Sequence, residues 1–230
     1  METARDRLKD VISEGVAIDI FQAEEALALY QLIGQRAEGI NAATFGAFFG
    51  RLQMVLLRHL ILSTSRIFEP ETHHYRLRSI PAALKILQEQ AEELVIEQSI
   101  ALTHVVPSQG IERAEAQRPE ITRLVANYFA GQTPKAGLVT PDGLSRTLDS
   151  LKTVRDKFIA HPEAIRVEDL PKATLHEIAD LLSFAKQFVD TIGFAYLSTA
   201  YADDSGEYML SSDAERASRC LKRLLKLAGC

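Results

Sequence analysis

The stretch Leu151-Lys-Thr-Val-Arg-Asp-Lys-Phe-Ile-Ala-His161-Pro162 sets an arginine into the apolar face of a helix and a histidine at its end. At about 100° per residue, Leu144, Leu148, Leu151, Arg155 and Phe158 fall on one stripe, spaced by four and three. Arg155 stands where the pattern asks for leucine. Burying a guanidinium costs several kcal/mol unless it meets a carboxylate, a phosphate or a wet cleft. His161 follows about 120° further round the axis, at the edge of the stripe. Pro162 disfavours helical geometry at His161, so the helix is expected to end there, where its dipole favours a protonated imidazole. A fixed cation beside a group that gives and takes protons suits work on a phosphodiester.

Outward from this helix the apolar spacing is helical nearly throughout. Thr140-Pro141-Asp142 predicts its start, with a hydroxyl cap, proline in the first turn and an acid behind it. Upstream, residues 16–38 carry Phe21, Leu27, Leu29, Tyr30 and Ile33. Asn41 is placed to cap the next helix, whose inward stripe reads Phe45, Phe48, Phe49, Leu52, Leu56, Leu60, Ser63, Ile67 and stops at Pro70. Ser79 before Pro81 starts another, with Leu84, Leu87, Leu94 and Val95 inward, running to the turn at Pro107-Ser-Gln-Gly110. Ile121, Leu124, Val125, Tyr128 and Phe129 mark a short helix. Residues 173–200 form a long one with Ile178, Leu182, Ala185, Val189, Ile192 and Tyr196 inward. After Tyr201-Ala-Asp-Asp-Ser-Gly206, a turn, a basic amphipathic helix runs over 212–227. The expected fold is all-α, an antiparallel helical bundle over residues 1–200 with an extra C-terminal helix over 201–230 packed on or beside it.

Composition narrows the function classes. With 47% apolar and 25% charged residues, the 230-residue chain can bury a sizeable core. No window approaches the ~18 uninterrupted apolar residues of a membrane span, and the charged N-terminus has no apolar leader behind it. A cytoplasmic protein is expected. Two cysteines ten apart, Cys220 and Cys230, match neither a disulfide framework nor a zinc spacing. The net charge of −5 argues against an extended nucleic-acid grip, so any RNA contact needs a local basic patch. No metal or cofactor is expected. His73-His74 in a loop lacks a carboxylate-histidine spacing to support a metal site.

Arg155-Asp156 followed by four residues and His161 resembles the arginine-polar-x4-histidine motif of the HEPN superfamily. Leu56 to Glu69, ending Ser-Arg-Ile-Phe-Glu and followed by Ser79-Ile80-Pro81, resembles a helix and turn of its abortive-infection U (AbiU-type) branch. The two pieces span residues 45–200. The resemblance implies metal-independent RNA cleavage by homodimers, in toxin or phage-defence systems, with an antitoxin protein as a candidate partner. It puts Arg155 and His161 at the two signature positions and Asp156 at the polar one, where many active members have asparagine.

The chemistry this implies is attack of a ribose 2′-hydroxyl on the adjacent phosphorus. His161 serves as general base or acid, and Arg155 clamps the phosphoryl oxygens. Against this stands a structural reading, in which Arg155 pairs with an inward carboxylate such as Glu24, Glu25 or Glu69 and His161 caps its helix. The whole-protein alternative is a catalytically inactive helical module that binds a nucleotide or a protein partner. Asp156 projects away from the apolar face. His59 reads as a packed histidine, and Ser63-Thr64-Ser65 as hydroxyls bonding back to helix carbonyls. The cations of the last helix, Arg216, Arg219, Lys222, Arg223 and Lys226, read as a solvated face, an RNA patch or a dimer contact.

Overall fold

A computed structural model describes residues 2–72, 75–105, 119–135, 143–160, 171–203 and 205–230. It is an all-α bundle; among the described residues only two isolated bridges, Thr72 with Tyr75 and Ala202 with Tyr208, have β pairing. The first helix, α1 (Ala4–Val11), was not expected from the sequence. Its start is a capping box in which Thr3 and Asp6 satisfy each other's backbone amides. A π-helical turn, Ile12–Val16, joins it to α2 (Ala17–Gln35), and the three make one rod.

The short α3 (Ala37–Ala42) turns the chain into α4 (Gly46–Ile67). Asn41 therefore lies within α3 instead of capping α4, whose cap position is Phe45. Thr44, at φ 66°, takes the left-handed conformation that the tight corner demands. α4 runs antiparallel to α2: Gln53 donates to the Tyr30 carbonyl at 3.2 Å, and Arg66 reaches Asp19. Its stripe is buried only in the second half. Leu60 and Ile67 are fully buried, whereas Phe45 and Phe48 are 43% and 64% exposed, contrary to the inward expectation. Those two lie beyond the neighbours that cover Phe49, Leu52 and Leu56.

α5 (Ile80–Glu89) begins as read, with Ser79 as its cap and Pro81 in the first turn. It ends at Glu89, well short of Pro107; 3-10 turns follow at Ala91–Glu93 and Ser99–Leu102, leaving Val95 exposed and Leu94 buried. α6 (Pro119–Gln132) buries Ile121, Val125 and Phe129, while Leu124 faces out. The described part of α7 is Leu144–Val154, entered through left-handed Gly143; Thr140-Pro141-Asp142 lies outside the described residues. α8 (Leu175–Leu197) starts from a Thr174–Glu177 capping box and buries all six predicted inward residues. It lies antiparallel to α6: Tyr196 bonds Thr122 at 3.2 Å, and Phe188 meets Phe129 edge to face.

α9 (Met209–Leu227) starts three residues before its predicted boundary and packs along α2. Leu225 is buried with Ile33 and Ile40, with Leu221 against them. Near its start, the Glu24 carboxylate binds both Ser211 and Lys186, tying α2, α8 and α9 together. Asp203 accepts the backbone amides of Ser205 and Glu207, the turn expected ahead of α9. No helix among the described residues is long and apolar enough to cross a membrane.

Candidate functional site

Two distant pieces of sequence meet at Arg155. Leu151 and Leu148 are buried one and two turns before it, so α7 drives the guanidinium inward, as the stripe predicts. The winding changes there: Arg155–Ala160 is π-helical, with its turn widened by i to i+5 bonding. A projection at about 100° per residue therefore does not hold over Arg155–Ala160. His161 itself lies outside the described residues, as do Pro162 and His73-His74.

Arg155 is 18% exposed and is held from two sides. Its Nη1 donates to the Glu69 carboxylate, and its Nε donates to Asp156 Oδ1 at 2.6 Å. Burial works against the charge, but the bonds to Asp156 and Glu69 outweigh it and hold the guanidinium above its ordinary pKa. Among the described residues Nη2 has no partner. Asp156 is 55% exposed, consistent with its projecting from the apolar face, yet it still turns back to Arg155. Of the three carboxylates weighed from sequence, Glu69 is the partner; Glu24 serves Lys186 and Ser211 instead.

Glu69 is fixed by the corner that follows α4. Phe68 is buried against Phe184, and Ser79 donates its hydroxyl to the Glu69 carbonyl at 2.7 Å. Ser79 also accepts from Ala82, so one hydroxyl caps α5 and latches the end of α4. Arg66, one turn earlier, donates to Asp19 and to Gln22 at 3.2 Å. Burial pushes the Asp19 carboxyl up, opposed by the Arg66 guanidinium. The Asp19–Arg66 pair was invisible in the sequence, because 47 residues separate its members. Ser63, Thr64 and Ser65 are buried and their hydroxyls have no partner among the described residues, so they do not bond back to helix carbonyls. His59 is exposed, not packed.

Beyond Glu69 opens a polar groove of about 1230 Å³, lined among others by Asp19, Arg66, Glu69, Tyr75 and Arg78. Its lining holds seven carboxylates against five cations, which makes it a poor cradle for a polyanion. Among the described residues no three side chains of metal-binding type gather into a cluster.

The two stretches in which the resemblance is read therefore meet: Arg155, near the end of one bundle helix, is latched to Glu69 of the Arg66-Ile67-Phe68-Glu69 corner on another. The chain belongs to the HEPN_AbiU2 family: the model of that family, AbiU2, matches residues 6–217. That range extends in both directions beyond the two stretches in which the resemblance is read. No curated protein and no solved structure matches the chain.

Proposed function

We propose that this chain is a metal-independent endoribonuclease of the HEPN type, acting as a homodimer in a defence or toxin system. The observation that carries the reading is the state of Arg155. The side chain is positioned by Glu69, remains partly exposed, and keeps Nη2 without a partner among the described residues. Asp156, more than half exposed, is the carboxylate able to swing aside and cede Nε to a phosphoryl oxygen. The attacking ribose 2′-oxygen forms a bond to phosphorus as the bond to the 5′-oxygen breaks. The 2′-hydroxyl proton passes to a base and the leaving oxygen gains one, giving a cyclic phosphate and a 5′-hydroxyl. His161 takes the proton-transfer role by its place in the family motif.

A second reading rests on the same side chain. Two carboxylates around one guanidinium leave the corner net negative, which repels a phosphate and suits an arginine whose task is to join α4 to the end of α7. The chain would then be a non-catalytic module binding a nucleotide or protein partner. One assay separates the two: total RNA with chelator present, treated with wild type, Arg155→Ala and His161→Ala. The nuclease reading expects cyclic-phosphate ends from wild type and a loss of roughly 100-fold or more in each variant. Equal cleavage by all three, or none by wild type, removes it.

A further inference from the structure

A strongly positive groove among the described residues lies far from Arg155 in sequence. A groove of about 800 Å³ is lined by Arg36, at the end of α2, and by Arg216, Arg219, Lys222, Arg223 and Lys226 of α9. No Asp or Glu side chain lines it among the described residues. In a chain of net charge −5, six cations around one groove are a pronounced local excess. Arg216 and Arg219 each have an acidic partner within their own helix, Asp213 and Glu215. Arg36, Lys222, Arg223 and Lys226 have none among the described residues. Favourable contact with a helix dipole explains Arg36 at the end of α2 and the cations in the last turn of α9, but not Arg216, Arg219 or Lys222.

The spacing is ordered as well. At about 100° per residue the five α9 cations fall within an arc of roughly 120°. They extend about 15 Å along the axis from Arg216 to Lys226. That length accommodates several phosphates of one strand, which rise by about 3.4 Å each when stacked. The apolar side of α9 is partly occupied, with Leu221 and Leu225 turned onto Ile33 and Ile40 while Leu224 and Leu227 stay exposed. A membrane-binding helix would need that whole side free.

We propose that this groove holds the sugar-phosphate backbone of a single RNA strand, a grip separate from the Arg155 corner. It rests on the reading of RNA as the substrate, and it names where the strand is held. The groove beside Glu69, with more carboxylates than cations, suits this purpose less well than the α2–α9 side.

The test uses the full chain and a 2′-O-methylated RNA 20-mer, which offers no 2′-hydroxyl for attack, so binding is read without cleavage. Cys220 and Cys230, the only cysteines of the chain, both line the groove and make it its own reporter. The 20-mer is expected to slow alkylation of Cys220 by iodoacetamide. Lys222→Gln/Arg223→Gln, at two exposed positions, is expected to weaken binding at least roughly tenfold and to shallow the log-log salt slope by about 0.7 per cation removed. Unchanged affinity and slope in that variant overturn the proposal. So does shielding of Cys220 by a nucleoside triphosphate as effective as that by the 20-mer at equal phosphate, which marks a mononucleotide site. Shielding by phosphatidylserine vesicles but not by RNA also overturns it. A wild type that binds the 20-mer through these cations yet cleaves nothing sinks the nuclease reading and leaves the groove standing. Cleavage with no effect of the variant on binding does the reverse.

Discussion

Arg155 and Asp19 meet burial with opposite results. Arg155 keeps its charge because two carboxylates reach it, whereas the buried Asp19 is pushed up although Arg66 faces it. The difference lies in the partners: Arg66 is 54% exposed and shares its charge with water, while Glu69 is locked by Ser79. Neutral groups carry the same logic to high pH. Tyr196 is buried between α6 and α8, and burial pushes its phenol up to about 12, with the Thr122 hydrogen bond pulling the other way. The folded state then keeps a proton that the unfolded chain releases from its ordinary value of 10.0 upward. Stability must fall as pH rises through that window, because the native state binds more protons. Tyr196→Phe is expected to cost about 1 kcal/mol at neutral pH, for the lost Thr122 bond, and to shallow the decline between pH 10 and 12. Urea unfolding at pH 7, 10 and 11.5 measures both; an unchanged alkaline slope would refute the assignment to Tyr196. Tyr201 and Tyr208, also raised by burial, keep the slope from vanishing.

At the scale of elements, the helices legible in the sequence are those whose caps and stripes agree. Ser79-Ile80-Pro81 and Thr174 with Glu177 mark their starts through side-chain chemistry, and α8 repeats its apolar residues without interruption. Windings and corners were hidden because their causes lie elsewhere in the chain. The four-and-three spacing of the stripe continues through Arg155 to Phe158, so nothing local announces a π turn; Phe45 and Phe48 continue the stripe of α4 past the end of its cover. The Arg155 site was half legible for the same reason. Its inward direction follows from the stripe, but the choice of Glu69 among three carboxylates depends on the Ser79 latch. The π turn between α1 and α2 yields a direct test. A Cβ on Gly15 would lie 2.1 Å from the Arg78 Cβ and 3.0 Å from its carbonyl oxygen. Arg78 is anchored there by Asp10 at 2.8 and 2.9 Å, so the clash cannot be relieved by turning a side-chain end. Gly15→Ala is therefore expected to lose about 1–3 kcal/mol to overpacking, although alanine is the better helix former. Gly50→Ala, with nothing near its Cβ, should instead gain up to about 1 kcal/mol. Thermal denaturation of the pair decides; a stabilised Gly15→Ala would mean that Arg78 does not sit against the π turn.

For the whole molecule, the surface divides by character. Cations gather where α9 meets the end of α2, carboxylates dominate the groove beside Glu69, and the first half of α4 leaves apolar side chains in water. Phe48 is 64% and Val55 61% exposed, seven residues apart and so on one helical face, with Phe45 and Met54 flanking them. Such a run on one element is a candidate interface, and a two-fold pairing of α4 with its copy is self-complementary by construction. α4 also carries Glu69 just past its end, so the helix proposed for pairing is the one that fixes Arg155. Dimerisation and cleavage should therefore fail together. Phe48→Glu/Val55→Glu places four like charges at a two-fold face and touches none of the buried core. Wild type is expected to sediment as a dimer and the variant as a folded monomer, with RNA cleavage falling roughly 100-fold or more if each site needs groups from two copies. Analytical ultracentrifugation beside the RNA assay reads both. A wild type that is monomeric at the assay concentration, or a monomeric variant that cleaves at the full rate, would show that one copy suffices and that the exposed face of α4 has another use.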